Sequence, residues 1–357
     1  MRIVKWAVSC AFAAFLLYLH FYAVPCGHRV FSGDRTVARV AFVADPQIEG
    51  DSRIQRQGVW GRIDVALNDL YFRHIAGAVA RLRPTHAFIL GDLFSSQYIG
   101  ANEFNERVKR FRWSWKPLYD ACPTPVVNVT GNHDIGYGDY ASPRVISRFE
   151  AAFGPVNTHF VAAGHTFVVL NSMTLDESQA ALRSATWAFV EEAGRAADAA
   201  GLPVVLVTHI PLYKDKTAPG CDRVEINVHY GRIKDQTHLR KETSEKLLAA
   251  LHPAIIFVGH DHNGCYHEFQ GGVREYTVRS VMGDFGGNVQ LLGIKRSADG
   301  SGYEYDVEAC PLVLRMRDLL VIFVLLALWI LYLVVSALVH PCTSRKSKSK
   351  SKSDHIE

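Results

Sequence analysis

Six short segments, residues 37–43, 87–90, 126–129, 166–170, 204–207 and 255–258, are apolar and rich in β-branched residues, so they read as strands. Five of them run directly into polar clusters. Asp45-Pro46-Gln47 follows the first, Gly91-Asp92 the second and Gly131-Asn132-His133-Asp134 the third. Thr208-His209 follows the fifth and Gly259-His260-Asp261-His262 the sixth. The fourth ends at Asn171-Ser172, with no obvious metal ligand. Helical spacing of apolar residues appears over 63–82, 104–118, 180–199 and 237–251, and the stretches 274–279, 289–295 and 303–307 look all-strand. The chain is therefore expected to form an α/β domain with largely parallel strands and an antiparallel segment near its end.

In α/β sheets, ligands bind beyond the carboxyl ends of the strands. If the six strands are parallel neighbours, their clusters meet at one rim, and Gly91, Gly131 and Gly259 let the backbone turn sharply there. Carboxylate, carboxamide oxygen and neutral imidazole together suit divalent manganese, zinc or iron. A carboxylate reached by two ions can bridge them. Ions about 3.5–4 Å apart can clamp the attacking and leaving oxygens of a phosphoryl displacement. They also lower the pKa of a water they share. Each element alone is ordinary: an Asp after a strand often caps a helix, and a Gly-Asp pair is usually a turn. The ordered set of five carries the weight.

Two longer apolar runs flank this region. Residues 3–24 contain no acid and residues 319–339 no charge, and each is about the 20 residues that cross a bilayer core as a helix. The first could also be a cleaved signal peptide, but its length and the lack of a clean small-x-small site favour an anchor. Arg2 and Lys5 precede the first run; Arg345, Lys346, Lys348, Lys350 and Lys352 follow the second. Both termini are then expected in the cytosol, with the intervening domain luminal. The expected division is an anchor and linker over 1–35, a luminal domain over 36–312, a transmembrane helix over 313–340 and a basic tail over 341–357. The formal net charge of +4 is small and concentrated in that tail, so nothing suggests a nucleic-acid binder. Cys26, Cys122, Cys221, Cys265 and Cys310 would face an oxidising lumen, and five is odd. The sequon at Asn128 lies in a predicted strand, so it is expected to stay unglycosylated.

The ordered clusters resemble the signature of the calcineurin-like metallophosphoesterases, with Gln47 where the general pattern has His. The strings ADPQIEGD (44–51), HLRKETSEKLL (238–248), GHDHNGC (259–265) and VRSVMGDFGGN (278–288) resemble the branch that remodels GPI anchors by removing ethanolamine phosphate. The resemblance implies a sandwich of two mixed β-sheets flanked by helices, with a transmembrane helix at each end. It implies two divalent ions, manganese foremost and zinc or iron as alternatives. Asp45, Asp92 and His262 would hold the first, with Gln47 either an oxygen ligand or a group supporting one. Asp92, Asn132, His209 and His260 would hold the second. His133 would act on the phosphate and leaving oxygen, oriented by Asp134. A Cys221–Cys265 bridge is implied, against the alternative of two unrelated thiols. Arg279 and Asp284 would meet substrate or form a structural salt bridge.

The expected activity is a phosphodiesterase acting on GPI lipid or GPI-anchored proteins at a membrane, in the endoplasmic reticulum or early Golgi. The same residues admit a luminal phosphomonoesterase or nucleotide phosphodiesterase, since a fold does not fix a substrate. A non-catalytic membrane protein with a degenerate site is the third reading.

Overall fold

The computed structural model describes residues 26–311, apart from 27, 139, 177–178, 215–220, 222, 231 and 287, and parts of the terminal apolar runs within 6–13 and 323–338. The chain divides into two compact units. One is Cys26–Val313, and the other combines Met1–Pro25 with Leu314–Glu357. In the terminal unit the rings of Phe12 and Trp329 stack with centroids 5.5 Å apart, and Trp329 Nε1 donates to Ser9 Oγ at 3.3 Å. Among the described residues, no helix is long and apolar enough to cross a membrane. Most of the run 3–24 lies outside the described residues, as do the tail 341–357 and Cys342. The run 319–339 is described, as helix, only over 323–336 and at 338.

In the larger unit the elements follow in this order: β1 (Thr36–Val43), α1 (Asp51–Gln57), α2 (Val59–Arg81), β2 (His86–Leu90), α3 (Ala101–Ala121), β3 (Val127–Val129), α4 (Asn132–Ile135) and α5 (Pro143–Phe153). Then come β4 (Thr158–Ala162), β5 (His165–Val169), α6 (Ala180–Ala200), β6 (Val204–Val207), β7 (Ile226–His229), β8 (Arg232–Gln236) and α7 (Lys241–Leu251). The last are β9 (Pro253–Val258), β10 (Cys265–Glu268), β11 (Arg274–Thr277), β12 (Asn288–Arg296) and β13 (Tyr303–Pro311).

The strands form two mixed sheets and a hairpin. One sheet has the order β13-β12-β1-β2-β3, the other β10-β11-β9-β6-β5-β4, and β7 pairs with β8. The six strands expected as neighbours are thus divided: β1, β2 and β3 run parallel in the first sheet, and β5, β6 and β9 in the second. The apolar runs hide this division because these strands are almost wholly buried, whichever sheet they join. Alternate residues of β1, Ala38, Val40 and Phe42, point into the core between the sheets, as do Phe88, Phe167, Val205 and Phe257. The Phe42 and Phe257 rings stack across it at 3.9 Å. The sheets are joined at the rim by Val281 N donating to Ala44 O at 2.9 Å and Ser280 Oγ donating to Asp45 O at 3.1 Å. The five polar clusters therefore gather at one end of a sandwich rather than along one sheet edge.

Two arginines of α3 brace the loop after β1. Buried Arg107 donates to Ile48 O at 2.7 Å, Ser95 Oγ at 2.9 Å and Glu103 Oε1 at 3.0 Å. Arg110 donates to Glu49 O at 2.6 Å and clasps Asp69 with two donors. Arg107→Ala would strand a buried carbonyl and a carboxylate. The expected cost is about 3 kcal/mol, the lower end for breaking a buried ion pair because Glu103 keeps some water. A lowered urea midpoint at unchanged slope would register it.

Cys26 is bonded to Cys310 and Cys221 to Cys265, and Cys122 is a buried free thiol. Asn128 is buried, its Oδ1 accepting from Tyr119 Oη at 2.7 Å.

Candidate metal centre

The loops after β1, β2, β3, β6 and β9 place Asp45, Asp92, Asn132, His209, His260 and His262 around one point. One oxygen of Asp92 and one ring nitrogen each of His209 and His260 lie within 4.8 Å of one another. His209 Nε2 is 3.4 Å from Asp92 Oδ1 and 3.1 Å from Asn132 Oδ1. His262 Nε2 is 4.0 Å from Asp45 Oδ1, and Gln47 Nε2 is 3.3 Å from Asp92 Oδ2 and 3.1 Å from His262 Nε2. Asp92 thus stands between the two groups, one oxygen toward each.

The local backbone is forced to this end. Asp45, Gln47, Asp92 and His260 all have positive φ, between 43° and 72°. A non-glycine residue held there costs about 1–3 kcal/mol, a strain that gathers at functional sites. The glycines act differently from the sharp turning expected of all three. Gly91 does take a positive φ of 89°. Gly131 has φ −116°; it is small because a Cβ would strike the Asp92 carboxylate. A Cβ on Gly259 would come within 2.8 Å of Leu90 O and 3.0 Å of Asp45 Oδ2.

Hydrogen bonds set which imidazole nitrogens are bare. His209 Nδ1 lies 2.7 Å from Leu90 O and donates to it, which leaves Nε2 as a lone pair. That lone pair faces two oxygens that are also acceptors. His260 Nε2 donates to Gln236 O at 2.8 Å, so Nδ1 is the bare nitrogen. Acceptors facing acceptors in a buried site repel, and a cation between them turns repulsion into ligation. The donor set of carboxylate, carboxamide and neutral imidazole fits a divalent ion.

Charge points the same way. Burial, then repulsion from Asp92, pushes the carboxyls of Asp45 and Asp134 well above the usual range. At Asp92 burial also pushes upward, but His209, His133 and His260 outweigh it and the carboxyl is lowered. Burial drives His209 and His262 down and takes His260 to about 3. Neutral imidazole is the coordinating form.

Asp134 departs from expectation. Oδ1 accepts from the N–H groups of Leu93 and Phe94 at 3.0 and 3.3 Å, and Oδ2 from that of Gly131 at 2.8 Å. Both oxygens are spent on backbone, so Asp134 pins the Asp92 loop to the Asn132 loop instead of orienting the His133 ring. His133 itself is part exposed, with Nε2 3.8 Å from Asp92 Oδ2, while its N–H donates to Asp92 Oδ1 at 2.8 Å. Arg279 and Asp284 are both exposed, and among the described residues no ion pair joins them. Beside Asp284, the ring of Phe285 meets that of His262 at 4.7 Å.

Several residues of the site had no sequence signal. Tyr137 Oη lies 3.3 Å from His260 Nε2, and the carbonyls of Gln236 and Leu90 fix two imidazoles. A backbone carbonyl can come from any residue type, so its role is invisible in a sequence. Ser172 Oγ, after the strand with no ligand, accepts from Ile210 N at 2.9 Å and steadies the His209 loop. A cleft of about 470 Å³ opens over the cluster, walled further by Gln97, Tyr98, Tyr140, Lys234 and Asp235. Tyr98 and Tyr140 stand exposed with rings edge to face, 5.4 Å apart.

Comparison with known proteins agrees with this geometry. The calcineurin-like phosphoesterase family model matches residues 38–264. An uncharacterized protein of Schizosaccharomyces pombe is 34% identical over 302 residues, covering 72% of this chain and 69% of that protein. Protein TED1 of Saccharomyces cerevisiae is 27% identical over 393 aligned residues, covering 81% and 80%. Metallophosphoesterase 1 of Cricetulus griseus is 31% identical over 273 residues, covering 70% and 67%. The strand-end ligand set, the two mixed sheets and these matches lead to one conclusion: the chain belongs to the calcineurin-like phosphoesterases, metal-dependent hydrolases of phosphoric esters.

Proposed function

We propose that this phosphoesterase is a luminal, membrane-anchored phosphodiesterase that removes ethanolamine phosphate from a mannose of GPI anchors, with manganese as its metal. The observation that carries the catalytic reading is the gathering of one ring nitrogen each of His209 and His260 with an Asp92 oxygen. The GPI reading is supported by the strings around Asp45, His238, His260 and Arg279, and by apolar runs at both ends of the domain. Gln47 in place of an imidazole offers an oxygen, which favours a harder ion such as manganese. The substrates would be GPI lipid or GPI-anchored proteins, met at the membrane of the endoplasmic reticulum or early Golgi.

Asp45, Gln47, Asp92 and His262 would hold one ion, and Asp92, Asn132, His209 and His260 the other. Bound there, the pair supplies an activated water and neutralises charge on the phosphoryl oxygens. His133, on the open side of the cleft, gives a proton to the mannose oxygen as its bond to phosphorus breaks. Asp134 keeps the two loops carrying Asp92 and Asn132 at fixed separation. The exposed rings of Tyr98 and Tyr140 offer a face for the leaving sugar, with Asp235 and Gln97 within the same cleft for its hydroxyls.

Tyr98→Ala is accordingly expected to raise KM for a glycan substrate about threefold to tenfold, as removal of an aromatic contact would. The kcat on a small soluble phosphodiester should not change. Equal KM on the glycan would remove the sugar platform. The direct test of the function is analysis of GPI glycans in cells lacking the protein. Retained ethanolamine phosphate is the expected result; unchanged content sinks the GPI reading while leaving the hydrolase intact.

A further inference from the structure

The outer face of α2 is apolar where a water-facing helix is polar. Val59, Trp60, Ile63, Leu67 and Leu70 are between 43% and 75% exposed. Their spacing of three and four residues sets them in one stripe along the first three turns. The opposite face, with Val65, Phe72, Ile75 and Val79, is already buried against the domain. Helix α2 is thus apolar on two sides, and only one of them serves the fold. A contiguous patch of large exposed apolar side chains marks an interaction surface.

Charge distinguishes what would cover it. The acids of α2, Asp64 and Asp69, are both taken by arginines, at 2.5 Å from Arg53 and 2.6 Å from Arg110. Exposed Arg62 flanks the stripe on α2, and exposed Arg56 lies in the last turn of α1, just before α2 begins. Tryptophan, aliphatic side chains and arginine on one helical face, with no acid free, is the composition of a helix lying in a membrane interface. The indole of Trp60, apolar with one donor, suits the headgroup level.

The stripe also lies on the right part of the fold. A crossover helix between parallel neighbours starts near the carboxyl end of the first strand, so the early turns of α2 lie toward the rim that bears the metal centre. Further along, Tyr71 Oη donates to Val281 O at 2.7 Å, next to the turn whose Phe285 meets His262.

We propose that the outer face of α2 is a lipid-docking surface, seated in the headgroup layer with Trp60 and Leu67 as its anchors, which presents the catalytic rim to membrane-borne substrate. This rests on the reading of the terminal runs as membrane anchors, and adds a third, reversible contact to them.

The test uses the full chain reconstituted in vesicles of mixed neutral and anionic lipid with brominated acyl chains, which quench indoles that enter the bilayer. Wild type is compared with Trp60→Phe and Trp329→Phe. A quenched component lost in Trp60→Phe is the expected result. Leu67→Glu, at an exposed position outside the cleft, should also abolish it while leaving turnover of a soluble phosphodiester unchanged. If quenching is the same in wild type and Trp60→Phe while Trp329→Phe loses its share, docking is overturned and the anchors stand. If no indole is quenched, the anchor reading fails as well. A Trp60 shielded from both bromolipid and aqueous acrylamide is covered by protein, which overturns the proposal in favour of a partner or second copy.

Discussion

Asp92→Asn is expected to lower kcat by on the order of 10³-fold or more, at least the cost of removing one preorganised charge-stabilising group. The reason is position. One oxygen of Asp92 faces His209 Nε2 at 3.4 Å and the other faces Gln47 Nε2 at 3.3 Å, so both halves of the ligand cluster close on this side chain. Asparagine keeps the shape and one oxygen, but removes the negative charge and presents an amide nitrogen to one half. A cation there would lose its shared ligand. Elemental analysis of protein purified without chelator checks this directly: the variant should carry less than the wild-type complement of metal. The fold should survive, because the His133 N–H bond to Oδ1 has an oxygen available in one amide orientation. Near-normal turnover with a full metal complement would contradict the bridging position.

The second large effect is expected at His133. His133→Ala should lower kcat by about 10²–10⁴-fold, the range for loss of a general acid, with metal content unchanged. His133 is more exposed than His262 or His209, at 35% against 26% and 0%, and it lines the cleft. His209 and His260 are tied by backbone carbonyls, and neither ring is free to meet a leaving group. A graded series of leaving groups separates the roles. If His133 donates the proton, the deficit should shrink as the leaving alcohol becomes more acidic, since such an alcohol departs unaided. A deficit that is constant across the series would assign His133 to binding the phosphate alone.

What the sequence made legible follows from where chemistry concentrates. Acid, amide and imidazole side chains directly after apolar strands announce a rim, because strand ends are where a parallel sheet exposes its loops. Asp45, Asp92, Asn132, His209, His260 and His262 were all readable in this way. The partition of the strands between two sheets was not, since Val204–Val207 and the Val40–Val43 half of β1 are both apolar and fully buried although they belong to different sheets. The edge strand β4 and the hairpin of β7 and β8 were missed. Their half-exposed residues, such as Thr158 and Ile226, carry a weak apolar signal. Asp134 shows a different limit. Its place in the Gly-Asn-His-Asp run suggests service to its neighbour His133, yet its partners are the N–H groups of Leu93 and Phe94, some forty residues earlier. A carboxylate advertises its need for donors but not their address.

The bond between Cys26 and Cys310 joins the first and last stretches of the larger unit, 284 residues apart in sequence with Cα atoms 5.6 Å apart. The two ends of the larger unit are therefore held at one place. The staple also removes chain entropy from the unfolded form, a stabilisation of about 5 kcal/mol for so long a loop. Reduction would remove that stabilisation and leave the first and last stretches of the domain free to part.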